Sequence, residues 1–107
     1  MPHLRIRNIE LERLTAASIR LVDRLQAAIG CQRDWLTIEH EPATAIRDGQ
    51  RIAGNPFVTV LWFPRPPDIA RRVAVILSEE LRGSADFVTV VFTELSETLY
   101  FENGEPV

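Results

Sequence analysis

A chain of 107 residues, 46% hydrophobic and 25% charged, has the length and balance of one globular domain with a single core. Twelve basic residues against fifteen acidic ones leave a net charge of −3, which argues against nucleic acid or an anionic membrane as partner. No apolar run approaches the ~18 residues of a membrane helix.

The N-terminus lacks a signal peptide's charged and apolar regions. One cysteine, Cys31, excludes an internal disulfide and any cysteine-based metal site. The two histidines, His3 and His40, have no motif spacing for a structural zinc. A cytoplasmic domain without metal or cofactor is expected.

Residues 3–7, HLRIR, alternate polar and apolar with the period of a half-buried strand. From Ile9 to Ile29 the period changes: Leu11, Leu14, Ser18, Leu21, Val22, Leu25, Ala28 and Ile29 recur at three and four. That spacing predicts an amphipathic helix, stopped by Gly30. WLTIEHE (35–41) alternates again as a strand, Pro42 ends it, and Asp48-Gly49 signals a turn. PFVTVLWF (56–63) is a continuous β-branched and aromatic run, expected as a strand buried on both faces. PRPP (64–67) suits a helix's first turn. Ile69, Val73, Ile76, Leu77 and Leu81 then form a second helical face, closed by Gly83. DFVTVVFTEL (86–95) is the next strand, and Asn103-Gly104 signals a last turn.

The two halves repeat. RDWLTI (33–38) lies over ADFVTV (85–90), and IRDGQ (46–50) over FENGE (101–105). One domain spanning 1–107 is expected, with an internal repeat of roughly 2–50 and 56–105. Duplicated β-α-β units with right-handed crossovers predict an α+β fold: a four-stranded mixed sheet with two helices on one face. A ferredoxin-like β-α-β-β-α-β arrangement has the same element order and is the alternative. Parity puts Leu4, Ile6, Leu36, Ile38, Val58, Val60, Val88 and Val90 under the helices. The other face then carries Trp35, Phe57, Leu61, Phe63, Phe87 and Val91 among Arg5, Arg7, Thr37, Glu39, Thr59 and Thr89. That is more apolar surface than a monomer leaves open, so a symmetric oligomer is expected.

The opening MPHLRIR offers two roles for Pro2. Removal of Met1 would leave Pro2 as a terminal secondary amine, whose pKa an apolar pocket lowers into the range of a useful base. Otherwise Pro2 is only the start of a strand. Arg65, held between two prolines, suits a carboxylate through its planar fork, or is a solvated loop arginine. Arg5, Arg7, Arg33 and Arg47 are rivals for that role.

A Met-Pro start, a duplicated strand–helix–strand and a half-covered sheet resemble the tautomerase superfamily. That group includes macrophage migration inhibitory factor, 4-oxalocrotonate tautomerase and malonate semialdehyde decarboxylase. The order MPHLRIR…GCQRDW…PFVTVLWF…FTEL…YFENG is most similar to an uncharacterised bacterial family within it. The resemblance implies a homotrimer without cofactor acting on a small oxo or enol acid, with Pro2 as catalytic general base. It sets Arg65 on the decarboxylase's carboxylate-binding arginine, Tyr100 on an aromatic pocket wall, and Asp34 near a water-activating aspartate. Trp35 is a second candidate for the wall, or core of an interface, and Asp34 has the plainer alternative of capping its turn. Two positions depart from the pattern. A strand arginine becomes Thr89, with Thr37 at the equivalent place, and a lysine after the helix-ending glycine becomes Cys31. Alternative functions are a decarboxylase or hydratase with Pro2 as general acid and Asp34 activating water, and a non-catalytic trimeric interaction protein.

Overall fold

The computed structural model describes residues 2–107; Met1, on whose removal the amine role of Pro2 depends, lies outside the described residues. Strand β1 (His3–Arg7) buries Leu4 and Ile6 and exposes Arg5 and Arg7, as its alternation demands. Helix α1 (Leu11–Ile29) buries Leu14, Leu21, Leu25 and Ile29. It stops where Gly30 turns left-handed at φ 76° and donates its N–H to the Gln26 carbonyl. A single 3-10 turn, Arg33–Trp35, precedes β2 (Thr37–Glu41). The short strands β3 (Ala45–Arg47) and β4 (Gln50–Ile52) close over Asp48 and Gly49, at φ 53° and 75°. Positive φ at both central residues is what a tight two-residue hairpin requires.

The second half repeats this. Strand β5 (Phe57–Trp62) leads through Pro66 and Pro67 into α2 (Pro67–Leu81), with a proline in the first helical position where a missing N–H costs nothing. Strand β6 (Thr89–Glu94) follows. After a 3-10 turn at Glu97–Leu99, β7 (Phe101–Glu102) and β8 (Glu105–Pro106) fold back over Asn103 and Gly104.

The main sheet has the order β2-β1-β5-β6. Strands β1 and β2 run parallel, as do β5 and β6, while β1 and β5 meet antiparallel at the centre. Direct pairing of β1 with β2 sets aside the ferredoxin-like alternative, which inserts another strand between them. The fold is the expected mixed sheet with two helices on one face.

Both helices pack their buried residues against Leu4, Ile6, Val58, Val60 and Trp62 in one core. Each such side chain contributes roughly 1.5–3 kcal/mol by leaving water. Trp62 is 2% exposed and stacks on Phe92 with ring centroids 4.8 Å apart. The helices are also tied outside: Arg24 donates to Glu79 at 2.7 Å and to Glu80 at 2.8 Å. Arg13 reaches the Leu81 carbonyl at the end of α2, at 2.7 Å. No helix among the described residues is long and apolar enough to cross a membrane.

Strand β5 departs from the expectation of burial on both faces. Val58, Val60 and Trp62 are buried, but Phe57, Thr59 and Leu61 are only half-buried because no second layer covers that side of the single chain. The same side leaves Trp35 49%, Phe87 57% and Val91 42% exposed. Here Arg5 pairs with Glu39 at 3.7 Å, and Arg7 lies 4.4 Å over the Phe57 ring. The duplication is exact enough to repeat one hydrogen bond. Thr37 donates to the Pro2 carbonyl at 3.2 Å, and Thr89 to the Pro56 carbonyl at 3.0 Å.

Candidate active site

Antiparallel pairing of β1 with β5 sets His3 opposite Leu61, so Pro2 lies beside the C-terminal end of β5. Trp62, Phe63 and the FPRPP turn bearing Arg65 leave the sheet at that same end. The Leu95 N–H donates to the Trp62 carbonyl at 2.7 Å, which steers the chain beyond β6 toward it. Tyr100 then meets the Phe63 ring edge-on at 5.2 Å, with its hydroxyl 3.4 Å from His3 Nε2. The turn carrying Asp34 and Trp35 leads directly into Thr37, whose N–H is held by Pro2. All five sequence-predicted residues therefore sit at one end of the sheet.

Their environments differ. Pro2 is fully buried. Arg65 is partly buried, its guanidinium 5.7 Å from the centre of the Trp62 ring, and its Nε is buried without a hydrogen-bond partner among the described residues. A buried, unpartnered donor costs about 1–3 kcal/mol, so its presence asks for an explanation. Burial, and secondly the charge of Glu102, raise the Tyr100 phenol above its ordinary value. The phenol is thus neutral through the neutral range. Asp34 is exposed in the first turn of the 3-10 segment Arg33–Trp35.

The rival arginines are engaged or elsewhere. Arg33 pairs with Asp23 at 2.6 Å and Arg5 with Glu39. Arg7 stacks on Phe57 at the opposite end of β1, and Arg47 belongs to the β3–β4 hairpin. His40, on the helix-covered parity, contacts the Ile9 carbonyl at 2.8 Å, and Cys31 packs partly buried against the core.

Sequence reasoning did not find His3 as a partner of Tyr100. His3 shares the strand parity of Arg5, and that is the one signal the sequence carries. Nothing local shows a contact between residues 97 apart.

Two clefts, of about 740 and 880 Å³, are lined by Asn8, the β3–β4 hairpin and Gly54 at the opposite end of β1. Neither touches Pro2, Asp34, Trp35, Arg65 or Tyr100.

The family described as "Domain of unknown function (DUF1904)" matches residues 1–106, and the chain belongs to that family. No curated protein matches. A DUF1904 structure from Sebaldella termitidis is 35% identical, with a TM-score of 0.90 and 97% of each chain covered. A protein of unknown function from Vibrio cholerae is 27% identical, TM-score 0.87, covering 99% of this chain and 87% of the other. A fused 4-OT, an asymmetric trimer, is 19% identical, TM-score 0.80, covering 97% and 94%. A macrophage migration inhibitory factor-like protein of Entamoeba histolytica and a malonate semialdehyde decarboxylase share the fold at 15% identity, with TM-scores of 0.67 and 0.72. The fold is that of the tautomerase superfamily.

Proposed function

We propose, from DUF1904 membership and the tautomerase fold as premise, that this chain is a small oligomeric enzyme moving a proton within a carboxylate-bearing oxo or enol acid. The observation that carries the reading is the orphaned Nε of Arg65 at the end of the sheet where Pro2 begins. A donor kept buried and unpaired over an indole face is a site waiting for an acceptor. A carboxylate offers two, matched to the guanidinium fork.

Once Met1 is removed, Pro2 carries a secondary amine on a rigid ring. Burial of Pro2 disfavours the charged ammonium, the direction a general base needs. The neutral nitrogen takes a proton from the carbon α to the substrate carbonyl, and the resulting ammonium returns it at another atom of the same conjugated system. No net proton is consumed. Tyr100 and Phe63 wall the site, and the neutral phenol of Tyr100 gives a donor for a developing enolate oxygen. The missing wall is supplied by a neighbouring copy in a homotrimer, which covers Trp35, Phe87 and Val91. A cytoplasmic setting belongs to the same reading.

Asp34 supports a second reading. Its carboxylate is exposed at this end with no partner among the described residues, free to activate water for hydration or decarboxylation while a protonated Pro2 serves as acid.

The chain contains no lysine, so an amine-directed reagent has only the N-terminus to modify. Labelling of the native protein at neutral pH should map to Pro2 and be blocked by an oxo acid. Recovery of intact Met1 from native cells overturns both enzyme readings and leaves the non-catalytic trimer.

A further inference from the structure

The internal duplication has a second end. Pro56 is buried and holds the Thr89 N–H as Pro2 holds that of Thr37. Asp86 and Phe87 precede that threonine as Asp34 and Trp35 precede the other. Where the C-terminal end of β5 flanks Pro2, the C-terminal end of β1, with Asn8, flanks Pro56. Between these elements lies the cleft of about 740 Å³, a volume in the range of small-molecule sites. Pro56 is an internal residue, so its nitrogen is an amide and no base.

This end is lined by Arg13, Arg47 and Arg82, facing two acids, Glu10 and Asp86. Arginines 5, 20, 24, 33 and 72 are neutralised in ion pairs among the described residues, whereas none of these three is. Their positive charge is therefore available to the cleft. The floor is rigid. Asn8 donates to the Asn55 carbonyl at 3.0 Å, and the Asp86 N–H donates to Asn55 Oδ1 at 3.1 Å. A Cβ at Gly54 would lie 2.6 Å from Asn8 Cγ, so the glycine permits this packing.

We infer that the Pro56 cleft is a second, non-catalytic site for a small carboxylate- or phosphate-bearing anion, the counterpart by duplication of the Pro2 end without its amine. Three arginines on a fixed floor, rather than a proton-transfer group, define it. The inference does not depend on what Pro2 does.

The test is a nuclear magnetic resonance titration of the full-length protein with malonate and, separately, inorganic phosphate, at constant ionic strength. Saturable shifts at the Asn8 and Asp86 amides and the Arg47 and Arg82 side chains, at millimolar anion or below, are expected. Whichever probe saturates them identifies the headgroup. Arg47→Gln, at an exposed hairpin position, should weaken this binding about tenfold or more while leaving the Thr37 amide and the thermal midpoint unmoved. Arg82→Gln should weaken the binding likewise, its thermal midpoint falling slightly because Arg82 Nε also donates to the Ala85 carbonyl at 3.1 Å. Shifts confined to the Pro2 end, shifts that never saturate, or an affinity unchanged in both variants would overturn the inference.

Discussion

Replacing Arg65 by methionine should stabilise the protein and weaken its hold on substrate. The native guanidinium stacks over Trp62 with 5.7 Å to the ring centre, worth about 0.5–1 kcal/mol at a partly exposed site. Against this stands the Nε N–H, buried with no acceptor among the described residues, costing about 1–3 kcal/mol. Methionine keeps a flexible apolar stem against the indole and brings no donor. The difference favours the variant by roughly 0–2.5 kcal/mol, centred on about 1 kcal/mol, a rise of several degrees in Tm for a domain of this size. A ligand carboxylate, in contrast, loses a charge-assisted bidentate contact of about 1.5–3 kcal/mol. KM for an oxo acid should then rise on the order of tenfold to a hundredfold. Thermal unfolding and steady-state kinetics on the same preparation read both effects. A variant more than about 1 kcal/mol less stable than the parent would show that Nε is satisfied in the assembled protein, and the reasoning would fail.

Other perturbations test separate parts of the structure. Leu61→Glu sets a charge on the half-covered face of β5, and light scattering should show the assembly, three times the 12.2 kDa chain, falling to monomer. An unaltered mass would show that this face lies outside the interface. Tyr100 is the lone tyrosine, so phenolate absorbance reports it alone. Burial raises its folded pKa above 10.0, so the stability it contributes is present below about pH 10 and is lost as pH climbs through the folded value. A native midpoint at or below that of the denatured chain would contradict this. Arg65→Lys should restore only part of the substrate affinity lost in Arg65→Met, since an ammonium cannot reproduce the fork. Full recovery would mean that point charge suffices.

Much of the fold was legible because each local signal has one cause. The change from period two to a three-and-four spacing at Ile9 marks α1, Gly30 can turn left-handed, and Asp48-Gly49 and Asn103-Gly104 can hold positive φ in succession. The strand starts were less legible. WLTIEHE and DFVTVVFTEL look like strands from their aromatic residues onward, yet β2 and β6 begin only at Thr37 and Thr89. Each is the first residue to find a carbonyl on the neighbouring strand, that of Pro2 or Pro56, and prolines have no N–H to extend the ladder. At the candidate site, the prolines around Arg65 advertised a fixed loop. The burial of its Nε depends on Trp62 and the folded turn, and no pattern in the chain encodes that. The approach of Tyr100 to His3 likewise needs β6 in place first.

The strand order has a consequence for synthesis. Strand β1 leaves the ribosome first but ends inside the sheet, between β2 and β5. Once β2 has emerged, β1-α1-β2 can pair and cover one face, while the other edge of β1 stays open until Trp62 is made. An open strand edge is a template for whichever strand arrives. By the internal repeat, the best substitute for β5 is the β1 of another nascent chain, running antiparallel. Premature termination before β5 should thus yield half-molecules that pair with each other, and the second half of the full chain is what guards that edge.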